Sequence, residues 1–462
     1  MRFIPYDPII QAGTFGPLNT APVASGITFG MHQNIRTSYI TRLFFYFKDG
    51  YGEVWYPKED ARLIGQDYIG RVIKDPAYID KVYNQWLKDV DKFEQLGRQL
   101  AKSGELTEYN EFYNLFQKLW AGSMVAEVFD GYYEDLLQSL AARYGVEINP
   151  DEIEQVLQTG YVSNLIRFEH FLLQCLNEEK DFAAVVDKYY YIDTDYYQAK
   201  EVALDKRLAE YKKFDLVKEL ERVELTINNQ AANAGMRQEL LAAKKFPPEF
   251  VAILDLLAKT VEWRDERKRM HQTGVYCQWR FMLRNILVPE ELFPFITPQD
   301  YLERAYDEKN YQQILEKRKH GSIFKEDFQA NREWLYDAEA MIKFKSQFRV
   351  DQQKSLELKG RTAYEGKVTG KAKIIRSRKD FDKMEAGDIL VASMTRPEYL
   401  PVMKKAAAVV TDEGGITCHA AIVCRELNIP CVISTQQATQ TILDGDTVFV
   451  NANHGFVSVV QR

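Results

Sequence analysis

Apolar residues recur every three or four positions through the middle of the chain. Near its C-terminal end they alternate or form short unbroken runs. In "YIDKVYNQWLKDVDKFEQLGRQLAK", Val82, Trp86, Val90 and Phe93 fall on one helical face. The segment "PPEFVAILDLLAKTVEWRDERKRMHQTGVYCQWRFMLRNIL" opens on Pro247-Pro248, has no internal proline and closes before Pro289. One helix of roughly eleven turns is predicted there. "ITPQDYLERAY" reads as a helix start, with Thr297 as cap, Pro298 in the first position and Asp300 in the first turn. Before the helical stretch, "LFFYFKDGYGEVWYP" reads as two extended runs joined by a hairpin turn at Asp49-Gly50.

The period changes near residue 350. "FRVDQQKSLELKG" is polar and aperiodic and reads as a linker. After it, "GKVTGKAKIIRS", "GDILVAS", "AAVVT", "IPCVIS" and "DTVFVNANHGFVSVV" are strand-like. Short helices are predicted between them, around Glu398–Lys405, His419–Leu427 and Ala438–Leu443. The pattern divides the chain into a mixed leader with a hairpin over 1–70, a helical region over 71–350, a hinge over 351–360 and a compact α/β domain over 361–462. The fold class is therefore a mostly α N-terminal region followed by an α/β domain.

The chain has 462 residues, and 46% of them are hydrophobic. That is enough for two or three domains and a large core. Lys and Arg number 60 and Asp and Glu 67, for a net charge of -7. This balance argues against a general nucleic-acid binder, which needs a basic surface. No apolar run is long enough for a membrane span, and the Pro- and Gly-containing N-terminus is not a signal peptide. The five cysteines show neither a disulfide framework nor metal spacing, so the cytoplasm is the expected compartment. The many aromatics, densest in "DKYYYIDTDYYQ", read as core packing.

One stretch stands out chemically: "VVTDEGGITCHAAIVCRELNIPCVIST". A buried strand ends at Asp412, a turn carries Gly414 and Gly415, and Thr417 caps a helix whose first turn holds His419. The positive end of the helix dipole disfavours imidazolium, so the ring stays neutral and nucleophilic. The same helix end offers N–H groups to an anion. Metal binding is disfavoured, because no other His or Cys stands at ligand spacing except Cys418, adjacent in sequence, and Cys424. A structural or merely exposed histidine is the alternative.

"GDILVASMTRPEYLPVMKKAAAVVTDEGGITCHAAIVCRELNIPCVIS", with "ATQTILDGDTVFVNANHGFVSVV", resembles the phosphohistidine swivelling domain of phosphoenolpyruvate-utilising enzymes. The Thr417-Cys418-His419 triplet is most similar to the phosphoenolpyruvate synthase version. The resemblance covers about residues 356–460. It implies that His419 is the phosphorylated residue, that Gly414 and Gly415 form its loop, and that Thr417 orients the ring or the phosphate. Arg425 and Glu426 match the family's "RE" pair, for which phosphate support and plain helix capping are both open. Departures stand at Asn428 and Ser434, where glycines are usual, at Asn451 in place of Asp, and at Tyr364-Glu365 in place of Ser-Pro.

No phosphate loop is evident in residues 1–350, and no barrel for phosphoenolpyruvate is expected after the histidine domain. Residues 195–345, with "RDERKRMHQTGVYCQWRFMLRNILVPEELFPFITPQDYLE", loosely resemble the helical region of rifampicin phosphotransferase, where the acceptor binds. The resemblance therefore implies one component of a split phosphotransferase. ATP and Mg²⁺ would sit on a separate ATP-grasp protein, His419 would carry the phosphoryl group covalently, and the helical region would hold a small-molecule acceptor. Arg264, Arg267, Lys268 and Arg269 are candidate acceptor-site cations, or else a solvated helix face. The alternative function is a non-enzymatic phosphorelay whose helical region binds a protein partner.

Overall fold

The structure, a computed structural model, describes residues 8–13, 42–48, 51–129, 133–178, 180, 182–194, 199–211, 215–298, 300, 310–327, 332–335, 339, 357–376, 378–396, 399–415, 418–435 and 437–462. A helical region comes first and a mixed-sheet α/β domain follows, as the periodicities predict.

The helical region is built on α1 (Lys58–Lys74), α2 (Tyr78–Ser103), α3 (Leu106–Ser123), α4 (Asn164–Asn177), α5 (Leu216–Lys244), α6 (Pro248–Asn285) and α7 (Tyr311–His320), with shorter helices between them. The expected long helix is α6, with proline in its first turn, where the missing N–H costs nothing. It packs against α1, α2 and α3. Trp86, Val90 and Phe93 of α2 are buried with Phe112 and Phe116 of α3 and with Trp263, Met270 and Phe281 of α6. Contact between α3 and α6 is close, because a Cβ on Gly274 would lie 2.4 Å from Phe116. Tyr189, Tyr190 and Tyr191 are buried in the same core, as expected of that aromatic run. At Thr297 the expected cap is a reciprocal box. Its Oγ1 accepts from Asp300 N at 3.3 Å, and Asp300 Oδ2 accepts from Thr297 N at 2.7 Å.

Strands β1 (Pro8–Gly13), β2 (Arg42–Lys48) and β3 (Tyr51–Pro57) form an antiparallel sheet in the order β1-β3-β2. Lys48 faces Tyr51 across the expected turn, whose two residues lie outside those described. The sheet continues through β4 (Ser322–Asp327) and β5 (Arg332–Leu335), which the sequence reading left inside the helical region. The pairing of β2 with β4 joins the leader to the far end of that region, so residue 70 is not a boundary of this sheet.

The C-terminal sheet holds β6 (Glu357–Lys359), β7 (Arg361–Tyr364), β8 (Lys367–Ile374), β9 (Ile389–Ala392), β10 (Ala408–Thr411), β11 (Cys431–Ile433), β12 (Thr447–Asn451) and β13 (Phe456–Gln461). Their order is β6-β13-β12-β8-β9-β10-β11-β7. Strands β8 to β11 run parallel, and the others pair antiparallel. Strands β6 and β7 are consecutive in the chain yet lie at opposite ends of this order, so the sheet curls until its edges meet at Gly360. Gly360 N donates to Gly455 O at 2.7 Å. A Cβ on Gly455, which has φ +66°, would stand 2.4 Å from Gly360 O. Only a glycine tolerates both the left-handed backbone and that approach.

The sequence-read hinge over 351–360 thus needs a correction at its C-terminal end. Glu357–Lys359 is an edge strand, with Leu358 buried opposite Val457. Residues 351–356 lie outside those described. Alternate residues of β9 and β10 face two different cores. Ile389, Val391, Ala408 and Val410 join one, and Leu390, Ala392 and Val409 join the other. Parallel strands covered on both faces require such continuous apolar runs.

Candidate functional site

Three loops leave the C-terminal ends of the parallel strands β9, β10 and β11, the usual place for a site in such sheets. The first two continue the ladder beyond the strands. Asp412 N donates to Ala392 O at 3.1 Å, and Glu413 N donates to Ser393 O at 2.9 Å. Thr435 N donates to Thr411 O at 3.0 Å and ties in the third. Thr395, after β9, and His419, after β10, therefore meet at one edge.

His419 is the first residue of α8 (His419–Leu427), as expected. The N-cap is Cys418, in extended conformation and without a side-chain cap bond, rather than Thr417. Cys418 N donates to Gly415 O at 3.0 Å, a tight turn that brings the extended residue up to the helix start. Thr417 lies outside the described residues. Gly414 has φ +121°, and a Cβ there would meet Cys418 Sγ at 2.7 Å. Its carbonyl accepts from Ser434 Oγ.

The half-buried ring of His419 places Nδ1 2.8 Å from Thr395 Oγ1, a residue that is itself buried. A hydroxyl can donate or accept. If Nδ1 carries the proton and Thr395 accepts, the lone pair is on Nε2. The loop carboxylates are bound elsewhere. Glu413 Oε1 accepts from Ser393 Oγ at 2.9 Å. Asp412 accepts from Thr439 N at 3.1 Å, from Thr439 Oγ1, and from Thr435 Oγ1 at 3.3 Å. Burial pushes the Asp412 carboxyl up to about 6, against the lowering effect of those donors.

Gly414, Gly415 and His419 thus stand together. Arg425 does not join them. It lies six residues along α8, roughly 9 Å of helix, and its Nε donates to Ala363 O at 3.3 Å. The sequence reading passed over Thr395, although a hydroxyl residue just past the end of a parallel strand, in "SMTRPEYL", is a usable signal. It also passed over Asp412 as more than a turn residue.

Three of the departures from the resembled pattern, Tyr364, Asn428 and Ser434, have hydrogen-bond partners. Asn428 and Ser434 both adopt left-handed backbone, at φ +55° and +57°, which explains why glycine suits these positions. Asn428 is the C-cap of α8, and its Oδ1 accepts from Tyr364 OH at 2.7 Å. Asn451 Oδ1 is buried with no hydrogen-bond partner among the described residues.

Residues 384–455 match the family model described as the mobile domain of PEP-utilising enzymes. This stretch of the C-terminal region is thus similar to that mobile domain. Over this region the chain is similar to three curated proteins. The probable phosphoenolpyruvate synthase of Archaeoglobus fulgidus is 54% identical over 100 residues, covering 22% of this chain and 13% of that protein. The phosphoenolpyruvate synthase of Pyrococcus furiosus is 36% identical over 178 residues, covering 34% and 22%. That of Neisseria meningitidis is 42% identical over 108 residues, covering 23% and 14%. The chain thus spans between 13% and 22% of the length of these relatives. The match to the mobile domain takes in the β9 end, the glycine loop and all of α8.

Of the four candidate cations in the helical region, only Lys268 is on a solvated face. Arg267 is buried and paired with Glu127. Arg269 pairs with Glu94 and donates from Nε to Glu266 Oε2 at 2.7 Å. Arg264 Nη2 donates to Ala126 O at 3.4 Å, and Lys268 is exposed. Tyr161 OH lies 2.8 Å from Asp265 Oδ2 and 2.7 Å from Glu266 Oε1, completing a polar seam along α6. His271, in the same core, stays neutral, because burial and then Arg267 drive its pKa to about 3. Among the described residues no helix is long and apolar enough to cross a membrane, and no group of three His, Cys, Asp or Glu could hold a metal ion.

Proposed function

We propose that the chain is a phosphotransferase component in which His419 carries a phosphoryl group from a nucleotide site on a separate ATP-grasp protein to a small-molecule acceptor held by the helical region. The observation that carries this reading is the 2.8 Å contact of Thr395 Oγ1 with His419 Nδ1 at the uncapped start of α8. With its proton on Nδ1 and Thr395 accepting, the ring attacks through Nε2. The N–P bond forms as the bond from phosphorus to the leaving oxygen breaks, and the leaving oxygen keeps the electron pair. A covalent intermediate of this kind divides one difficult transfer into two.

Mg²⁺ accompanies the nucleotide on the partner and offsets its charge. Asp412 and Glu413 are bound to Thr435, Thr439 and Ser393, which supports placing the metal away from this chain. Carrying the group between two sites calls for a moving domain, and the hinge is assigned to the polar stretch before Glu357. The mobile-domain match and the synthase relatives support transfer through histidine. A cytoplasmic location is part of the same proposal.

One observation favours the second reading, a phosphorelay to a protein partner. Arg267 and Arg269 are engaged by carboxylates and do not await an acceptor anion.

The test is to incubate the chain with Mg-ATP and the ATP-grasp protein, or with phosphoenolpyruvate and a family synthase. An acid-labile, alkali-stable label on His419 is expected, and a label that persists in His419→Ala defeats the proposal. A label then discharged to a protein rather than to a small molecule selects the relay.

A further inference from the structure

We infer that Arg396 is the cation of this domain that grips the phosphoryl group on His419. The inference rests on the phosphohistidine reading above and adds a residue which that reading leaves out. Thr395 occupies Nδ1 of the ring, and Arg396 is the next residue in the same loop. A turn fixes its backbone, because Tyr399 N donates to Arg396 O at 2.8 Å. The side chain is half-exposed, and among the described residues no carboxylate, carbonyl or ring engages its guanidinium.

Three other cations of the domain are committed. Arg425 Nε is on Ala363 O, Lys405 Nζ is on Met384 O at 3.0 Å, and Lys383 pairs with Asp380 and Asp444. Among the described residues, the loop acids Asp412 and Glu413 are also committed, to Thr435 and Thr439 and to Ser393. A guanidinium has a planar pair of donors that matches phosphoryl oxygens.

Reach allows the contact. One residue step, the threonine side chain, its hydrogen bond and the ring span at most about 11 Å from the Arg396 Cα to Nε2. An extended arginine and the phosphoryl oxygens together cover that span. In the transfer the Nε2 lone pair attacks phosphorus, the leaving group departs with the electron pair of its bond, and Nδ1 keeps its proton on Thr395. Arg396 then donates two N–H groups to the dianionic phosphoryl group and favours it over the protonated form.

The test uses the full chain and phosphoramidate, whose P–N bond breaks to release ammonia as the histidine N–P bond forms. Labelling is followed by phosphorus NMR. The rate is expected to fall about tenfold in Arg396→Gln and to recover in part in Arg396→Lys. The midpoint of the phosphohistidine shift against pH is expected to rise by about half a unit in Arg396→Gln, a change that a merely structural residue would not produce. Labelling confined to His419, with rate and midpoint unchanged in Arg396→Gln, overturns this assignment alone. Labelling that survives His419→Ala overturns the phosphohistidine reading and the assignment with it.

Discussion

Thr395 Oγ1 stands 2.8 Å from Nδ1 of His419, although 23 residues separate them in the chain. Two adjacent parallel strands, β9 and β10, end side by side and bring the pair together. In the proposed transfer the hydroxyl accepts from Nδ1 and leaves the lone pair on Nε2. Thr395→Val is therefore expected to slow phosphorylation of His419 by about 100-fold, within the range for a lost proton-positioning group. Thr395→Ser should restore most of the rate. Equal rates in wild type and Thr395→Val, measured by single-turnover labelling, would remove Thr395 from the site.

Asp412 sets a pH dependence for the C-terminal domain. Its carboxyl rises from 3.8 to about 6 because burial penalises the charged form. A folded-state value above the unfolded one favours the native state fully below the unfolded pKa. That contribution is lost as pH rises through the folded pKa. Stability should thus fall between about pH 4 and pH 6, by up to roughly 3 kcal/mol. Denaturant midpoints of the C-terminal transition should show the slope in wild type and a flatter profile in Asp412→Asn. A slope retained in the Asn variant would refute the assignment.

Tyr364 and Asn428 are two departures from the resembled pattern that bond to each other. The pair is exposed, so its worth is small, about 0.5 kcal/mol. A double-mutant cycle with Tyr364→Phe and Asn428→Gly should return a coupling of that size. Asn428→Gly alone should be nearly neutral, because relief of left-handed backbone offsets the lost bond. Strictly additive effects would show that the two departures are independent.

In the helical region Arg318 Nη1 donates to Asp300 Oδ2 at 2.6 Å, and both residues are buried. Asp300 also accepts from Tyr311 OH at 3.2 Å. Removal of one partner strands a buried charge, so Asp300→Ala should cost about 3–5 kcal/mol. Thermal unfolding of the helical region is the readout. A loss under 1 kcal/mol, as for a surface pair, would contradict the burial described.

Much of this was legible in the chain. The 3.6-residue period of Trp86, Val90 and Phe93 required a helix with one buried face, and the proline-free stretch after Pro248 marked α6 as one long helix. The glycine loop and the helix start placed His419, because backbone conformation and capping are local properties. Strands β4, β5 and β6 were hidden, since none is an unbroken apolar run like β9 to β11 and their pairing depends on distant partners. The tertiary structure alone decided that Thr395 faces His419, that Arg425 serves Ala363 instead, and that Arg267 and Arg269 are sunk in ion pairs. Each of these depends on which elements pack side by side, and a one-dimensional pattern fixes the face a residue occupies but not the residue that meets it.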